Sequence, residues 1–298
     1  MSDDLRHRPL GVFDSGMGGL TVLRALHEQL PGEDIIYFGD TARVPYGTKG
    51  ERTVRTFARQ DAGLLVRLGV KLVVVACNTA SAFALDYLRV TFPVPVLGVI
   101  DPGVETALER TRGGSVGVIG TSGTIRSRRY QEGLLAGRGQ HVGLPVERIL
   151  AQECPLFVPL VEEGMMGTQI TRLALEQYLA PLRNADIDTL ILGCTHYPLL
   201  AEDIGGFMGP EVTLVDSADA LARAAAALLA DRNLLRPPDH DATTEGGAGR
   251  LSFYLSDIPW KFAEIGERFL GQSIDDVKTV GLDEMEAAGQ ILPADMQE

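Results

Sequence analysis

VVVACNTASAFAL (residues 73–85) decides the fold that we predict for this chain, and LILGCTHYPLL (residues 190–200) repeats its organisation. Each segment is a run of aliphatic residues that ends in a small residue, followed by a cysteine and small polar side chains. Such a run is typical of a strand buried in a parallel sheet. Ligands in open α/β sheets bind at the carboxyl ends of the strands. The first candidate site residues are therefore Cys77, Asn78, Thr79, Cys194, Thr195 and His196.

The sequence context of Cys77 and Cys194 favours a reactive role over a purely structural one. A free cysteine is most often a small buried hydrophobe, and that interpretation suits Cys154 in QECPLF. Cys77 and Cys194 differ from it, because each follows a predicted strand and precedes polar residues at a predicted helix start. The amino terminus of a helix lowers the pKa of a thiol, and the thiolate is the reactive form. We therefore expect two reactive thiols with lowered pKa values.

Strands and helical segments alternate along most of the chain. The predicted strands lie at residues 10–13, 34–40, 70–77, 96–100, 114–120, 189–194, 212–215 and 251–256, with an edge strand at 275–282. The predicted helices lie at residues 20–30, 51–68, 80–92, 102–112, 125–137, 168–183, about 216–234 and 260–271. Alternation of this kind predicts βαβ units and parallel sheets. Residues 236–250 are predicted to form a loop, and the final ten residues are predicted to lack structure.

The order of strand, glycine, polar residues and helix start occurs twice, at LGVFDSG and at GVIGTSG. We therefore predict an α/β fold with two similar domains, each with a mainly parallel sheet flanked by helices. The active site would lie in the crevice between them. The first domain is predicted to be discontinuous, with residues 1–98 and about 212–298, and the second to comprise residues 99–211. The last strand and helix are expected to return to the first domain.

The turn DSGMGG (residues 14–19) has two interpretations. A dinucleotide-binding fingerprint fails, because its third glycine would fall on Thr21. In the first interpretation, the turn is purely structural and allows close packing of strand and helix. Alternatively, Asp14 and Ser15 project into the crevice while the turn amides face an anion. In either case a carboxylate directly after a buried strand requires a partner.

Composition and charge limit the classes of function. The chain has 298 residues, 45% of them hydrophobic, which suits a globular protein with a substantial core. A net charge of −13 argues against nucleic acid as the primary partner. No apolar run approaches the ~18 residues of a transmembrane helix, and the amino end lacks the apolar core of a secretory signal. Three cysteines make no disulfide framework, so we expect a cytoplasmic protein without a membrane partner.

Several site chemistries fit poorly. The five histidines are scattered, so no four-ligand metal set is evident. No C-x-x-C motif supports a redox role, and a Cys–His hydrolase would need only one nucleophile. Glu162 and Glu163 are either solvated surface acids or include one that reaches the site. Two thiols at one site suit proton abstraction from one face of a carbon and proton return to the other.

Beyond these motifs, the sequence resembles the cofactor-independent glutamate racemases of the aspartate/glutamate racemase superfamily. The likeness is carried by GVFDSGMGGLTVLRAL, YFGDTARVPYG, VVACNTASA, GVIGTSGT, CPLFVPLVEEG, LILGCTHYPLL and VDSA. It implies interconversion of L- and D-glutamate for peptidoglycan precursors without a cofactor, and it is compatible with a homodimer. The alternatives are a related enzyme for aspartate, a single-thiol decarboxylase or isomerase, and a non-catalytic binding module.

The resemblance also implies a role for each site residue. Cys77 and Cys194 would be the two catalytic acid/bases, with Asp14 assisting Cys77. Glu162 and His196 would assist Cys194. The substrate contacts implied by the likeness are Asp14, Ser15, Tyr46, Gly47, Asn78, Thr79, Thr121, Thr124, Thr195 and His196.

Overall fold

Two parallel β-sheets organise the chain in a computed structural model that describes residues 5–137, 146, 148–237, 249–260, 262–274 and 276–290. The strands are β1 (Leu10–Asp14), β2 (Ile35–Gly39), β3 (Leu72–Val75), β4 (Val96–Gly98), β5 (Ser115–Gly120), β6 (Arg148–Glu153), β7 (Ile187–Gly193), β8 (Thr213–Asp216), β9 (Leu251–Leu255) and β10 (Val277–Thr279). The helices are α1 (Leu20–Gln29), α2 (Glu51–Arg67), α3 (Asn78–Thr91), α4 (Ile100–Arg110), α5 (Ser122–Arg126), α6 (Arg129–Ala136), α7 (Phe157–Glu162), α8 (Gln169–Arg183), α9 (Ala201–Met208), α10 (Ser217–Asp231), α11 (Phe262–Leu270) and α12 (Leu282–Ala288). Most of the loop predicted at 236–250 and of the final ten residues lies outside the described residues.

The first sheet has six strands in the order β10-β9-β2-β1-β3-β4. Both β1 and β3 are completely buried, as their continuous apolar sequences predict. From β1 the chain passes to β2 on one side and later to β3 on the other. The carboxyl ends of β1 and β3 therefore form a topological switch point, where open α/β sheets bind ligands. Asp14 and Ser15 lie at the end of β1, and Cys77 follows β3.

The second sheet has four strands in the order β6-β5-β7-β8 and repeats this arrangement. The chain passes from β5 to β6 on one side and then to β7 on the other. Its switch point lies between the ends of β5 and β7, which are followed by Thr121 and Cys194. The predicted α/β fold class is confirmed, and each sheet brings one thiol to its own switch point.

The connection between the two halves departs from the expected boundary near residue 212. Residues Thr213–Asp216 pair with β7 and so belong to the second sheet. The following helix, α10, packs against α1 of the first half and makes the apolar core continuous between the halves. The division into domains stays a prediction, with its second boundary moved beyond Asp216. Strands β9 and β10 return to the first sheet.

Other elements differ from the sequence prediction in local ways. The helix predicted at 125–137 is two helices, α5 and α6, because Arg128 lies in the left-handed region with φ 61°. The pattern did not predict β6, α7, α9 or α12. Strand β6 is only partly buried at a sheet edge, so its sequence lacks a continuous apolar run.

Candidate active site

A cavity of about 300 Å³ joins the switch points of the two sheets. Eleven predicted residues line it: Ser15, Tyr46, Gly47, Cys77, Asn78, Thr79, Thr121, Glu162, Cys194, Thr195 and His196. Two other predicted residues, Asp14 and Thr124, are buried behind this lining. The sequence interpretation missed Val44, Pro45, Thr48, Ser122, Pro155, Val158 and Pro159. Pro45, Thr48 and Ser122 are each adjacent in the sequence to a predicted residue, so adjacency was the available signal for these three.

Cys77 caps the amino terminus of α3. Its Sγ accepts a hydrogen bond from the backbone N–H of Ala80 at 3.4 Å and donates one to Ser15 Oγ at 3.6 Å. Burial and the nearby charge of Asp14 raise the pKa of Cys77 to about 12, outweighing the lowering by Ala80 and Ser15. The expectation of a lowered thiol pKa is therefore wrong for this residue. Burial outweighs the helix terminus, and Cys77 is a neutral thiol near pH 7.

Asp14 lies behind Cys77, at the end of β1. Its Oδ2 accepts a hydrogen bond from the backbone N–H of Gly16 at 3.0 Å. Burial raises the pKa of Asp14, while the positive charge of His196 and the backbone N–H groups of the turn lower it. The turn also packs closely, because a Cβ on Gly19 would lie 2.5 Å from the Cβ of Asp14. At this turn, the backbone N–H of Gly16 binds the carboxylate of Asp14, and Gly19 permits the close approach of the backbone to that side chain.

Cys194 has a different set of partners. Its Sγ lies 3.8 Å from Nδ1 of His196, whose Nε2 lies 3.0 Å from Oε1 of Glu162. Burial alone would lower the pKa of His196, but the hydrogen bonds to Cys194 and Glu162 outweigh it and raise the pKa to about 10. The α-helix start expected after Cys194 is wrong, because a 3₁₀ turn (Tyr197–Leu200) follows it. An imidazolium, rather than a helix terminus, is therefore the positive group beside this sulfur.

Three threonine hydroxyls connect the two halves beside the cavity. Thr79 Oγ1 lies 2.9 Å from Thr121 Oγ1 and 3.3 Å from Thr124 Oγ1. Thr121 donates to Thr124 at 3.0 Å, so each hydroxyl has both of the others as neighbours. Thr124 therefore orients Thr79 and Thr121, which line the cavity.

Asn78 offers an unused donor to the cavity. Its Oδ1 accepts a hydrogen bond from the hydroxyl of Tyr130 at 2.7 Å, which fixes the orientation of the amide. Its Nδ2 is buried without a hydrogen-bond partner in the described part of the chain. A buried donor is costly to leave unpaired, so this amide is suited to bind a ligand oxygen.

The hydroxyl of Tyr46 belongs to a buried polar cluster. The hydroxyl lies within hydrogen-bond distance of Asp40 and, at 2.8 Å, of Oδ2 of Asp61, and it has one proton to donate to either carboxyl group. Arg43 completes this buried cluster, with Nε 2.7 Å from Asp40 Oδ2 and Nη2 2.9 Å from Asp61 Oδ1. Burial raises the pKa of both Tyr46 and Asp61 well above their usual values. The cluster fixes the loop whose backbone lines the cavity at Gly47.

The other features of the described residues point to no second reaction centre. No group of three or more His, Cys, Asp or Glu side chains there is arranged to hold a metal ion. None of the described helices combines the length and apolar character needed to cross a bilayer. A groove of about 500 Å³ beside α2 and α3 holds none of the predicted site residues. That groove is lined by Glu51, Arg52, Arg55, Thr56, Arg59 and Tyr87.

Comparison with known proteins identifies the family. A family model for Asp/Glu/Hydantoin racemase matches residues 10–225. The glutamate racemase of Geobacter metallireducens is 49% identical over 93% of this chain and 97% of its own length. The glutamate racemase of Thermus thermophilus is 43% identical over 94% of this chain and 99% of its own, with a TM-score of 0.79. The glutamate racemase of Francisella tularensis, solved in complex with D-glutamate, is 38% identical with a TM-score of 0.82 and covers 93% and 99%. The chain therefore belongs to the Asp/Glu/hydantoin racemase family, among its glutamate racemases.

Proposed function

We propose that this chain interconverts L-glutamate and D-glutamate, with Cys77 and Cys194 acting on opposite faces of the substrate α-carbon. The observation that carries the proposal is the presence of two thiols from different sheets in one cavity. Each thiol has its own assisting groups, Asp14 for Cys77 and the His196–Glu162 pair for Cys194. The names of the close relatives support glutamate as the substrate.

The reaction requires one base and one acid in each direction. The thiolate of one cysteine takes the α-proton, and the electron pair of the C–H bond stays on the α-carbon. The thiol of the other cysteine then gives its proton to the opposite face, which inverts the centre. After one turnover the two cysteines have exchanged protonation states. The reverse reaction, or proton exchange with water, restores them.

The charges beside the two thiols favour one direction first. Cys77 is a neutral thiol, because burial and Asp14 raise its pKa to about 12. His196 is an imidazolium at neutral pH, since its pKa is raised to about 10, and it places positive charge 3.8 Å from Cys194 Sγ. We therefore assign Cys194 as the first base, because the imidazolium would stabilise negative charge on its sulfur, and Cys77 as the first acid. The site is prepared for the enantiomer whose α-proton faces Cys194.

Neutral donors would hold the two carboxylates of the substrate. Among the described residues that line the cavity, none is lysine or arginine. Asn78 Nδ2 is an unpaired donor, and hydroxyl side chains of both halves line the same cavity. Fixed donors in an enclosed site stabilise the negative charge that develops as the proton leaves, and they need no reorganisation during the reaction.

Exchange of the α-hydrogen for deuterium in heavy water tests the proposal. The protein should incorporate deuterium into glutamate and racemise it, while Cys77→Ser and Cys194→Ser should each lower racemisation by about 10²–10⁴-fold. Cys154→Ser is the matched control, because Cys154 is a buried free thiol that does not line the cavity. Full activity in either site variant would exclude the two-thiol mechanism.

The same experiment separates the alternatives. Efficient conversion of D-aspartate with poor conversion of D-glutamate would select the related enzyme for aspartate. Glutamate binding without deuterium incorporation would select a non-catalytic binding module. A decarboxylase would release carbon dioxide, which racemisation does not.

In the cell, the proposed enzyme supplies D-glutamate for peptidoglycan precursors in the cytoplasm. Rescue of a bacterial strain that requires D-glutamate for growth tests this role. The homodimer stays a prediction, and sedimentation of the purified protein tests it.

A further inference from the structure

Two consecutive residues of α11 contact the groups that assist Cys194. Helix α11 follows β9 and therefore belongs to the half of the molecule that carries Cys77. Its residues Arg268 and Phe269 nevertheless contact Glu162 and His196 of the other half. Neither residue lines the cavity, and neither is among the predicted site residues.

Arg268 binds the carboxyl end of α7. Its Nη1 donates to the backbone oxygens of Val161 at 3.1 Å and Glu162 at 3.3 Å. The last carbonyls of a helix lack intrahelical N–H partners and carry partial negative charge. A guanidinium provides both the missing donors and a positive charge. Gly164 permits the approach, because its φ is +69° and a Cβ there would lie 3.0 Å from Nη2 of Arg268. The contact fixes the backbone of the residue whose carboxylate reaches His196.

Phe269 contacts the imidazole itself. It is fully buried, its ring centroid lies 5.2 Å from that of His196, and the two planes meet at 82°. An edge-to-face pair of this kind is a preferred arrangement of aromatic rings. Glu162 binds the imidazole at Nε2, and Phe269 restricts the plane of the ring. Together they determine where Nδ1 points relative to Cys194.

We propose that α11 is a positioning element for Cys194, with Arg268 fixing Glu162 and Phe269 fixing His196. The inference rests on the proposed racemase function. Cys77 depends instead on Ser15 and Asp14, which lie at the end of a strand of its own sheet. The two thiols therefore depend on different neighbouring residues, and a change in α11 affects Cys194. A displacement of about 1 Å at a catalytic group costs on the order of 10²-fold in rate.

The test replaces Arg268 and Phe269 and compares both directions of the reaction. The equilibrium constant between enantiomers is one, so any variant lowers kcat/KM equally in both directions. The discriminating measurement is the primary isotope effect on kcat with α-deuterated L-glutamate and α-deuterated D-glutamate. Deuterium exchange catalysed by Cys77→Ser identifies the enantiomer whose α-proton faces Cys194.

Arg268→Met should lower kcat about 10- to 100-fold. Its isotope effect should rise for the enantiomer that Cys194 deprotonates and fall for the other one. Arg268→Lys should restore part of the activity, because it keeps the charge and one donor. Phe269→Leu should shift the isotope effects in the same sense. Glu267→Gln is the matched control, since Glu267 is an exposed carboxylate on the same helix, and this variant should match the unmodified protein.

Two outcomes overturn the proposal. If the variants unfold more easily but keep unmodified isotope effects in both directions, Arg268 and Phe269 serve stability alone. If both isotope effects change equally, α11 does not act on Cys194 in particular. If Arg268→Met does not fold, Arg268→Lys and Phe269→Leu still give the comparison. A failure of the unmodified protein to racemise glutamate would overturn the proposed function itself, which distinguishes the two failures.

Discussion

Replacing Gly18 with alanine should nearly abolish racemisation at a modest cost in stability. Gly18 lies in the turn after β1, where a Cβ would come 2.3 Å from Thr195 Oγ1 and 2.4 Å from His196 Nδ1. Ordinary contacts begin at 3.4 Å. The turn and the His196 segment must therefore separate by about 1 Å, and a displacement of that size costs roughly 10²-fold in rate. Overpacking of this kind lowers the free energy of unfolding by about 1–3 kcal/mol.

Steady-state racemisation and urea unfolding of the same preparation measure the two effects separately. Gly206→Ala is the matched control, because Gly206 lies within α9 and a Cβ there meets nothing within 4 Å. That substitution should leave kcat/KM unchanged and raise the free energy of unfolding by about 0.5–1 kcal/mol, since glycine weakens a helix interior. Unmodified kcat/KM in folded Gly18→Ala would refute the contact between this turn and His196.

Two further predictions follow from buried polar groups. The pKa of His196 is raised from 6.5 to about 10 in the folded protein by Cys194 and Glu162, so its pairing with these two groups contributes fully to stability below pH 6.5. That contribution should be lost as the pH rises towards 10, and urea unfolding at several pH values should show this decline for the unmodified protein but not for His196→Gln. Tyr46→Phe removes the hydroxyl that bridges Asp40 and Asp61, which should lower the free energy of unfolding by about 1–3 kcal/mol. It should also raise KM, because the loop of Tyr46 lines the cavity, and unchanged unfolding and KM would contradict the role of this cluster.

The sequence predicted the parts of the fold that depend on local pattern. Continuous apolar runs located β1, β3 and β7, and the polar residues after them marked both switch points. Parallel pairing then brings the ends of such strands to the same edge of a sheet, so the position of Cys77 and Cys194 could be anticipated. The return of β9 and β10 to the first sheet followed from the need to cover a sheet edge.

Elements whose burial depends on tertiary contacts were not predicted. Helix α12 is seven residues long and would not be stable alone. It packs on α2, where a Cβ on Gly63 would lie 2.3 Å from the backbone oxygen of Ala288. Asp61 is a carboxylate within a charged helix sequence, so its pattern indicates a solvated side chain, yet it is completely buried against Arg43 and Tyr46.

The environment of each thiol also could not be predicted from the sequence pattern. The helix start at Cys77 correctly located the cap but not the direction of the pKa shift, because the extent of burial depends on the whole fold. Arg268 and Phe269 lie more than seventy residues after Cys194 in a helix of the other half. No spacing rule joins residues so far apart in the chain.

The pairing of β2 with β9 has a consequence for the synthesis of the protein. Ile35 of β2 pairs with Leu251 of β9, about 216 positions later. At about 5–20 residues per second, roughly 10–40 s separate the emergence of these two strands from the ribosome. The four strands of the second sheet are synthesised within this interval, so that sheet can assemble first. Until β9 arrives, β2 presents an unpaired strand edge, which is a template for aggregation. Slow translation after Asp216 would prolong that exposure in the nascent chain.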